Sequence, residues 1–164
     1  MITEYPNFLA KNKFNALVKK ITASERWAFT GKSTNQSKPS FWYLEMYDDQ
    51  KLVSIINDGI EKIFVRPKKL NACYVNGQSH GQCGGWHRDS LNEGDYTLLL
   101  YCNNEWRAEW GGFTVFQTDD NEQQVIVPFP NKAVLFQSNI LHVGLEPTKH
   151  FSGLRTTLAF KFQV

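Results

Sequence analysis

Trp86-His87-Arg88-Asp89-Ser90 is the stretch whose reading decides the fold. On extended backbone His87 and Asp89 share one face, because side chains alternate there with a period of two. The glycine-rich run from Gly77 to Gly85 precedes it, so the reading is that a core strand starts here. An imidazole and a carboxylate on one face, joined by a distant histidine, leave further positions of a metal open. That donor set, two histidines and one carboxylate, suits non-haem Fe(II). A His-x-Asp triplet also arises by chance, and a surface histidine beside a turn-forming aspartate is the competing reading. The surroundings therefore have to carry the argument.

Downstream the chain reads as short strands separated by turns: Leu70–Val75, Tyr96–Tyr101, Phe113–Phe116, Gln124–Phe129, Ala133–Phe136, His142–Leu145 and Arg155–Phe162. Pro128, Pro130 and Pro147 punctuate these runs, as do Gly94, Gly111, Gly112 and Gly153, with Gly111 and Gly112 marking a tight turn or a close backbone approach. Of the four histidines, His142 stands within the strand pattern Leu141-His142-Val143, whereas His80 and His150 have no comparable setting. Its alternative role is a core histidine bonded to a backbone carbonyl. Arg155 opens an alternating strand, Arg155-Thr156-Thr157-Leu158-Ala159-Phe160-Lys161-Phe162. An arginine pointing into a β-structure is costly unless paired. A carboxylate would pair it, since guanidinium grips carboxylate in a bidentate fork. A rim arginine facing solvent is the alternative.

Upstream, Phe14, Leu17, Val18 and Ile21 fall at i, i+3, i+4 and i+7, which predicts an amphipathic helix beginning after Pro6. Trp27-Ala28-Phe29 reads as strand, and Phe41 to Tyr47 as extended and aromatic. Between them Gly31 to Pro39 is polar and aperiodic, a mobile loop. A second helix, with Asp48 or Asp49 as N-cap, carries Leu52, Ile55, Ile56, Ile60, Ile63 and Phe64 at helical spacing and stops before Pro67. Both helices are expected to back a sheet. Two helices followed by many short strands give an α+β, mainly β architecture, a sandwich or barrel supported on one side.

From Leu70 onward the sequence resembles the 2-oxoglutarate- and Fe(II)-dependent oxygenases of the prolyl-4-hydroxylase-like branch. The likeness is carried by Asn71-Ala72-Cys73-Tyr74, Gly85-Trp86-His87-Arg88-Asp89, Thr97-Leu98-Leu99-Leu100-Tyr101, Trp110-Gly111-Gly112-Phe113, Leu135-Phe136, Leu141-His142-Val143 and Gly153-Leu154-Arg155-Thr156-Thr157. It implies one domain over residues 1–164, with 1–69 as helical support and lid segment and 70–164 as a double-stranded β-helix, or jelly roll. It implies Fe(II) held by His87, Asp89 and His142, and 2-oxoglutarate held by Arg155 and Tyr101 with Tyr74 nearby. O2 is the oxidant, succinate and CO2 the co-products, and ascorbate an accessory reductant. A carboxylate at Asp89 implies hydroxylation rather than halogenation. The expected substrate is a peptide or protein containing proline.

The remaining features bound the partners. A chain of 164 residues with net charge +2 and a pI of about 8.4 does not argue for nucleic acid, and no membrane partner is expected. A nucleic-acid dealkylase is a rival, but its Arg-x5-Arg pattern is here Arg155 and Lys161. A jelly-roll module that binds a metal or small acid without turnover is another. Cys73, Cys83 and Cys102 form no Cys-x-x-Cys and cannot all pair, which fits a reducing cytoplasm. The start of the chain lacks a basic segment followed by an apolar core, and no apolar run is long enough to span a bilayer. Trp86, Trp106 and Trp110 are expected around the mouth of the site. Gly31 to Pro39 is a candidate lid working opposite Gly77 to Gly85.

Overall fold

A computed structural model describes residues 1–118 and 122–164. In chain order the elements are β1 (Ile2–Tyr5), α1 (Lys11–Thr22), β2 (Ala28–Gly31), β3 (Phe41–Glu45), α2 (Gln50–Ile63), β4 (Lys69–Gln78), β5 (Asp95–Tyr101), β6 (Thr114–Gln117), β7 (Gln123–Ile126), β8 (Ala133–Gln137), β9 (His142–Gly144) and β10 (Arg155–Gln163). Seven strands form one antiparallel sheet in the order β1-β8-β5-β10-β4-β3-β2, and three form a second, β7-β6-β9. The two sheets and two helices make the mainly β architecture that the strand pattern predicts, in the jelly-roll arrangement that the resemblance implies.

Period-two alternation divides the large sheet between two cores. Leu158, Phe160 and Phe162 of β10, Leu98 and Leu100 of β5, and Cys73 and Val75 of β4 face the helices. Phe14, Leu17, Val18 and Ile21 of α1 and Leu52, Ile56 and Ile60 of α2 cover them. Ile56 is fully enclosed there, and truncation to alanine would cost about 2–5 kcal/mol. The opposite face turns Leu99, Tyr101, Val134, Phe136 and Ala159 toward Phe116 and Ile126 of the small sheet. Arg155, Thr157 and Lys161 lie on that inner face by the same alternation. Polar groups thus enter the barrel without disturbing the helix-side core.

Asp49, not Asp48, caps α2: its carboxylate accepts the Leu52 N–H at 3.2 Å. Several boundaries differ from the sequence reading. β1 was not anticipated; it adds to the edge of the large sheet beside β8. Asn131 then holds the following segment, accepting from Leu9 N and donating to Leu9 O. β4 runs on to Gln78, while β7 ends at Ile126 rather than Phe129 because Pro128 and Pro130 remove ladder donors. His87 does not start a strand. It makes a single antiparallel bridge with His142.

Candidate active site

That bridge is what brings the two histidines together. His87 N donates to His142 O at 3.0 Å and His142 N donates to His87 O at 2.9 Å, so their side chains emerge on one side of the small sheet. Two residues on, Asp89 N donates to Ser138 O, which returns the aspartate to the same face without a regular strand. Each imidazole is fixed from behind. His87 Nδ1 lies 2.9 Å from Gly85 O and His142 Nδ1 lies 2.9 Å from Ile140 O. Donation to those carbonyls leaves both Nε2 lone pairs facing inward, the tautomer a metal requires.

The three donors form one cluster, with ligand atoms within 4.8 Å of one another. His87 Nε2 is 3.5 Å from Asp89 Oδ1 and His142 Nε2 is 3.8 Å from Asp89 Oδ2. Two bonds of about 2.1 Å reach up to about 4.2 Å between donors, so one ion can span these pairs. The residues present therefore fit an iron of the facial type. Thr97 Oγ1 donates to Asp89 Oδ2 at 2.7 Å and orients the carboxylate. Burial alone would raise the Asp89 pKa, but the adjacent His87 imidazole and the charge of Lys161 hold it well below the carboxylate range. Burial pushes His142 down to about 4 despite Asp89, keeping it neutral and able to coordinate.

Behind the cluster a narrow lobe of about 50 Å³ leads to Arg155, lined among others by His142, Leu99, Thr114, Thr157 and Ala159. Arg155 is 2 % exposed. Its guanidinium donates to Gly112 O, to Gln78 Oε1 at 3.0 Å, to Thr157 Oγ1 at 2.8 Å and to Thr114 Oγ1 at 3.0 Å. All four acceptors are neutral, and burial pulls the arginine's pKa down. Tyr101, fully buried, stacks under the guanidinium at 5.6 Å and donates its hydroxyl to the same Thr114 Oγ1 at 2.8 Å. Thr114 thereby accepts twice, and its own proton is free to donate into the lobe. Gly112, at φ +65°, makes this possible: a Cβ there would lie 2.9 Å from both Arg155 Cδ and Trp106 Cζ2. A buried cation with neutral partners only has the chemistry to pair with a carboxylate.

In front of the cluster the site widens to a vestibule of about 480 Å³. Tyr74 and Asn76 of β4 line both spaces, and Asn76 Oδ1 is buried without a donor. Tyr74 stands at the junction rather than beside Arg155, its ring 5.2 Å from Lys161 Nζ. The segment from Gly31 to Asn35 forms one wall, and Ser33 Oγ accepts from Gly85 N at 2.7 Å, so the two sequence-predicted loops do meet. The tryptophans are elsewhere. Trp106 and Trp110 pack on Phe151, and Trp86 is 44 % exposed; none lines either space. Their place is set by the Gly111–Gly112 turn, which folds this aromatic cluster beneath Arg155 and away from the mouth.

Sequence reasoning missed Gln78, Thr97 and Thr114, and noted Lys161 as a departure from another family's pattern and as the fallback cation should Arg155 face solvent. Lys161 points into the barrel, its Nζ 2.8 Å from Asp89 Oδ1. The strict alternation Arg155, Thr157, Ala159, Lys161 was the available signal. Burial would lower its pKa, but Tyr74 and Asp89 hold the ammonium above its ordinary value.

The solved structures with this architecture include two prolyl hydroxylases. One, from Trichoplax adhaerens in complex with a hypoxia inducible factor oxygen degradation domain peptide fragment, aligns with a TM-score of 0.78 at 18 % identity, covering 99 % of this chain and 83 % of that one. A prolyl-4-hydroxylase from Pseudomonas putida aligns at 0.75 and 18 %, covering 99 % and 91 %. A non-haem α-ketoglutarate-dependent epimerase from nogalamycin biosynthesis shares the fold at 0.70 and 12 %, covering 99 % and 76 %. At these identities the likeness is one of fold. No curated protein matches in sequence. The sequence pattern of a family does match, over residues 70–162, which takes in His87, Asp89, His142 and Arg155. This chain accordingly belongs to the 2OG-Fe(II) oxygenase superfamily and is a dioxygenase that uses Fe(II), 2-oxoglutarate and O2.

Proposed function

We propose that His87, Asp89 and His142 hold the iron, that Arg155, Tyr101 and Thr114 hold the far carboxylate of 2-oxoglutarate, and that a prolyl residue of a peptide or protein is hydroxylated in the vestibule. The observation that carries the site reading is Arg155, a fully enclosed cation with neutral partners, at the end of a lobe whose other end is the His-Asp-His cluster.

Iron and 2-oxoglutarate, when bound, supply oxygen activation coupled to decarboxylation, with succinate and CO2 released. The chain's own work is binding, orientation and exclusion of water. Gly85 O and Ile140 O fix the imidazoles, and Thr97 fixes the carboxylate. Arg155 sets the depth at which a five-carbon diacid stops, Thr114, Thr157 and Gln78 add polar groups to a wall shared with Leu99 and Ala159, and Tyr101 acts from behind through its bond to Thr114. Tyr74, standing between the two spaces, is proposed to border the cosubstrate where it meets the substrate.

The prolyl reading draws on the two prolyl hydroxylases of the same fold, one of them solved with a peptide, and on a vestibule open to the surface. Loading the protein anaerobically with Fe(II) and 2-oxoglutarate should give the weak visible charge-transfer band of this chelate, absent in His142→Ala. Under air, mass spectrometry of a panel of proline-containing peptides should find a gain of one oxygen on proline. A gain on a different residue overturns the prolyl reading. Turnover of a methylated oligonucleotide would favour dealkylation, and a band without succinate release would favour a binding module.

A further inference from the structure

Among the described residues, the vestibule wall carries three cations, Lys32, Arg88 and Lys161, and one carboxylate, Asp89. Lys32 Nζ donates to Asn35 O at 3.2 Å and Arg88 Nε donates to Asn139 O at 2.8 Å, so both have neutral partners. Glu45 stands behind Tyr43, where it accepts the tyrosine hydroxyl, and does not line the space. Asp89 is the one full counter-charge, and its Oδ1 is also the oxygen nearest His87 Nε2. A metal ion and the Lys161 ammonium therefore contest the same carboxylate.

Once Asp89 serves a metal its charge is shared, and Lys161 keeps Tyr74 beside it but no full counter-charge of its own. A largely enclosed ammonium without an anion is costly, and the next anion must come from a side to which it has access. Lys161 lines the vestibule and not the deep lobe that leads to Arg155. Its side chain is 21 % exposed, so it can be reached from the vestibule. Further along the same wall, opposite Thr157, Asn76 Oδ1 lacks a donor, matched by the N–H of an amino acid or a peptide.

We infer that the vestibule is built for a substrate bearing a carboxylate close to the C–H that is oxidised, with Lys161 as its receptor and Lys32 and Arg88 drawing it in. This rests on the reading of the site given above. It narrows a peptide substrate to one with an acidic group next to the reacting residue, and it admits a free amino acid, whose own carboxylate would serve. Lys161 acts here as a specificity-determining residue, with the anion as its second partner after Asp89.

The test uses the full chain loaded anaerobically with Fe(II) and 2-oxoglutarate, with the charge-transfer band recorded first. Three matched pairs of probes are then titrated by calorimetry: L-proline against L-prolinamide, acetyl-Pro-Glu-amide against acetyl-Pro-Gln-amide, and acetyl-Glu-Pro-amide against acetyl-Gln-Pro-amide. In at least one pair the acid should bind about tenfold or more tighter than its amide, the size of a hydrogen bond to a charged group. The preference should shrink with added salt, vanish in Lys161→Met and return in Lys161→Arg, while 2-oxoglutarate affinity stays within about threefold. No acid preference in the native protein, in any pair, overturns the inference whether or not Lys161→Met folds. So does a preference that survives Lys161→Met, or a loss of 2-oxoglutarate affinity there without loss of the preference, which would place Lys161 on the cosubstrate. A missing band defeats the site reading itself, and a normal band without acid preference defeats only the substrate class.

Discussion

Lys161 and Asp89 meet inside the barrel, Nζ 2.8 Å from Oδ1, although one lies on the last strand and the other on a segment with no regular structure. The lysine stands where it opposes any cation that approaches the aspartate. Lys161→Met removes both the competitor and a like charge, so Mn(II) should bind about tenfold tighter in the absence of 2-oxoglutarate. Electron paramagnetic resonance titration measures this directly. Weaker binding in the variant would mean that the ammonium preorganises Asp89 instead.

Thr97 holds Asp89 from the other side, through Oδ2, and also lies 2.9 Å from Ser138 Oγ. Thr97→Val keeps the shape and removes the donor. Metal affinity should fall by about 10- to 100-fold, the range seen when such supporting partners are lost. Thr97→Ser should restore most of it, and equal affinity in the valine variant would deny Thr97 any part in orienting the carboxylate.

Arg155→Met should raise the apparent Kd for 2-oxoglutarate by a factor on the order of hundreds to thousands, from about 3–5 kcal/mol of lost pairing. Gly112→Ala should act on the same quantity without touching a polar group, because its Cβ would meet Arg155 Cδ and Trp106. Metal affinity measured without cosubstrate should stay unchanged in both. If the alanine variant binds 2-oxoglutarate normally, the close approach at Gly112 does not set the arginine.

The thiols offer a check on burial. Burial pushes Cys73 and Cys102 up to about 12, whereas Cys83 is exposed. At pH 8 a thiol reagent should modify Cys83 within minutes and reach the other two only after unfolding. Three fast thiols in the native protein would contradict the packing between β4, β5 and the helices.

Gly31 to Pro39 is proposed to close over the substrate, anchored by Phe41 on β3 and touching Gly85 through Ser33. Replacing it with a short Gly-Ser linker should leave slow, substrate-independent 2-oxoglutarate decay intact, since no metal donor is altered. Substrate-stimulated turnover should collapse. Hydroxylation at the native rate would make the segment a connector only.

Much of this site could be read from the chain, and for identifiable reasons. The helices have long 3.6-residue patterns and Asp49 a recognisable capping position, so their apolar faces and ends were legible. The alternation of Arg155-Thr156-Thr157-Leu158 put the arginine on the face opposite Leu158, and the family resemblance, not the alternation, made that face an interior one. β1, by contrast, is four residues whose strand character comes from pairing with β8, far away in sequence. Thr114 and Gln78 look like ordinary strand residues until three strands converge on Arg155. The tryptophans misled because nearness in sequence to Gly111 says nothing about which side of the turn they take. His87 was placed on a strand for want of any signal that one backbone bridge would suffice.

The reciprocal pair of main-chain bonds between His87 and His142 has a consequence for descent. A slip of one residue there would turn Trp86 and Arg88 inward, so the frame at this point is intolerant of insertion. The turn-rich stretch before it, from Ser79 to Gly84, bears no such constraint, because the histidines are fastened to each other, and His87 to Gly85, rather than to what lies further upstream. Lineages can lengthen, shorten or redecorate that stretch while the donors stay where they are. The part of the gene that performs the oxidation and the part that chooses what reaches it are thereby free to change at different rates.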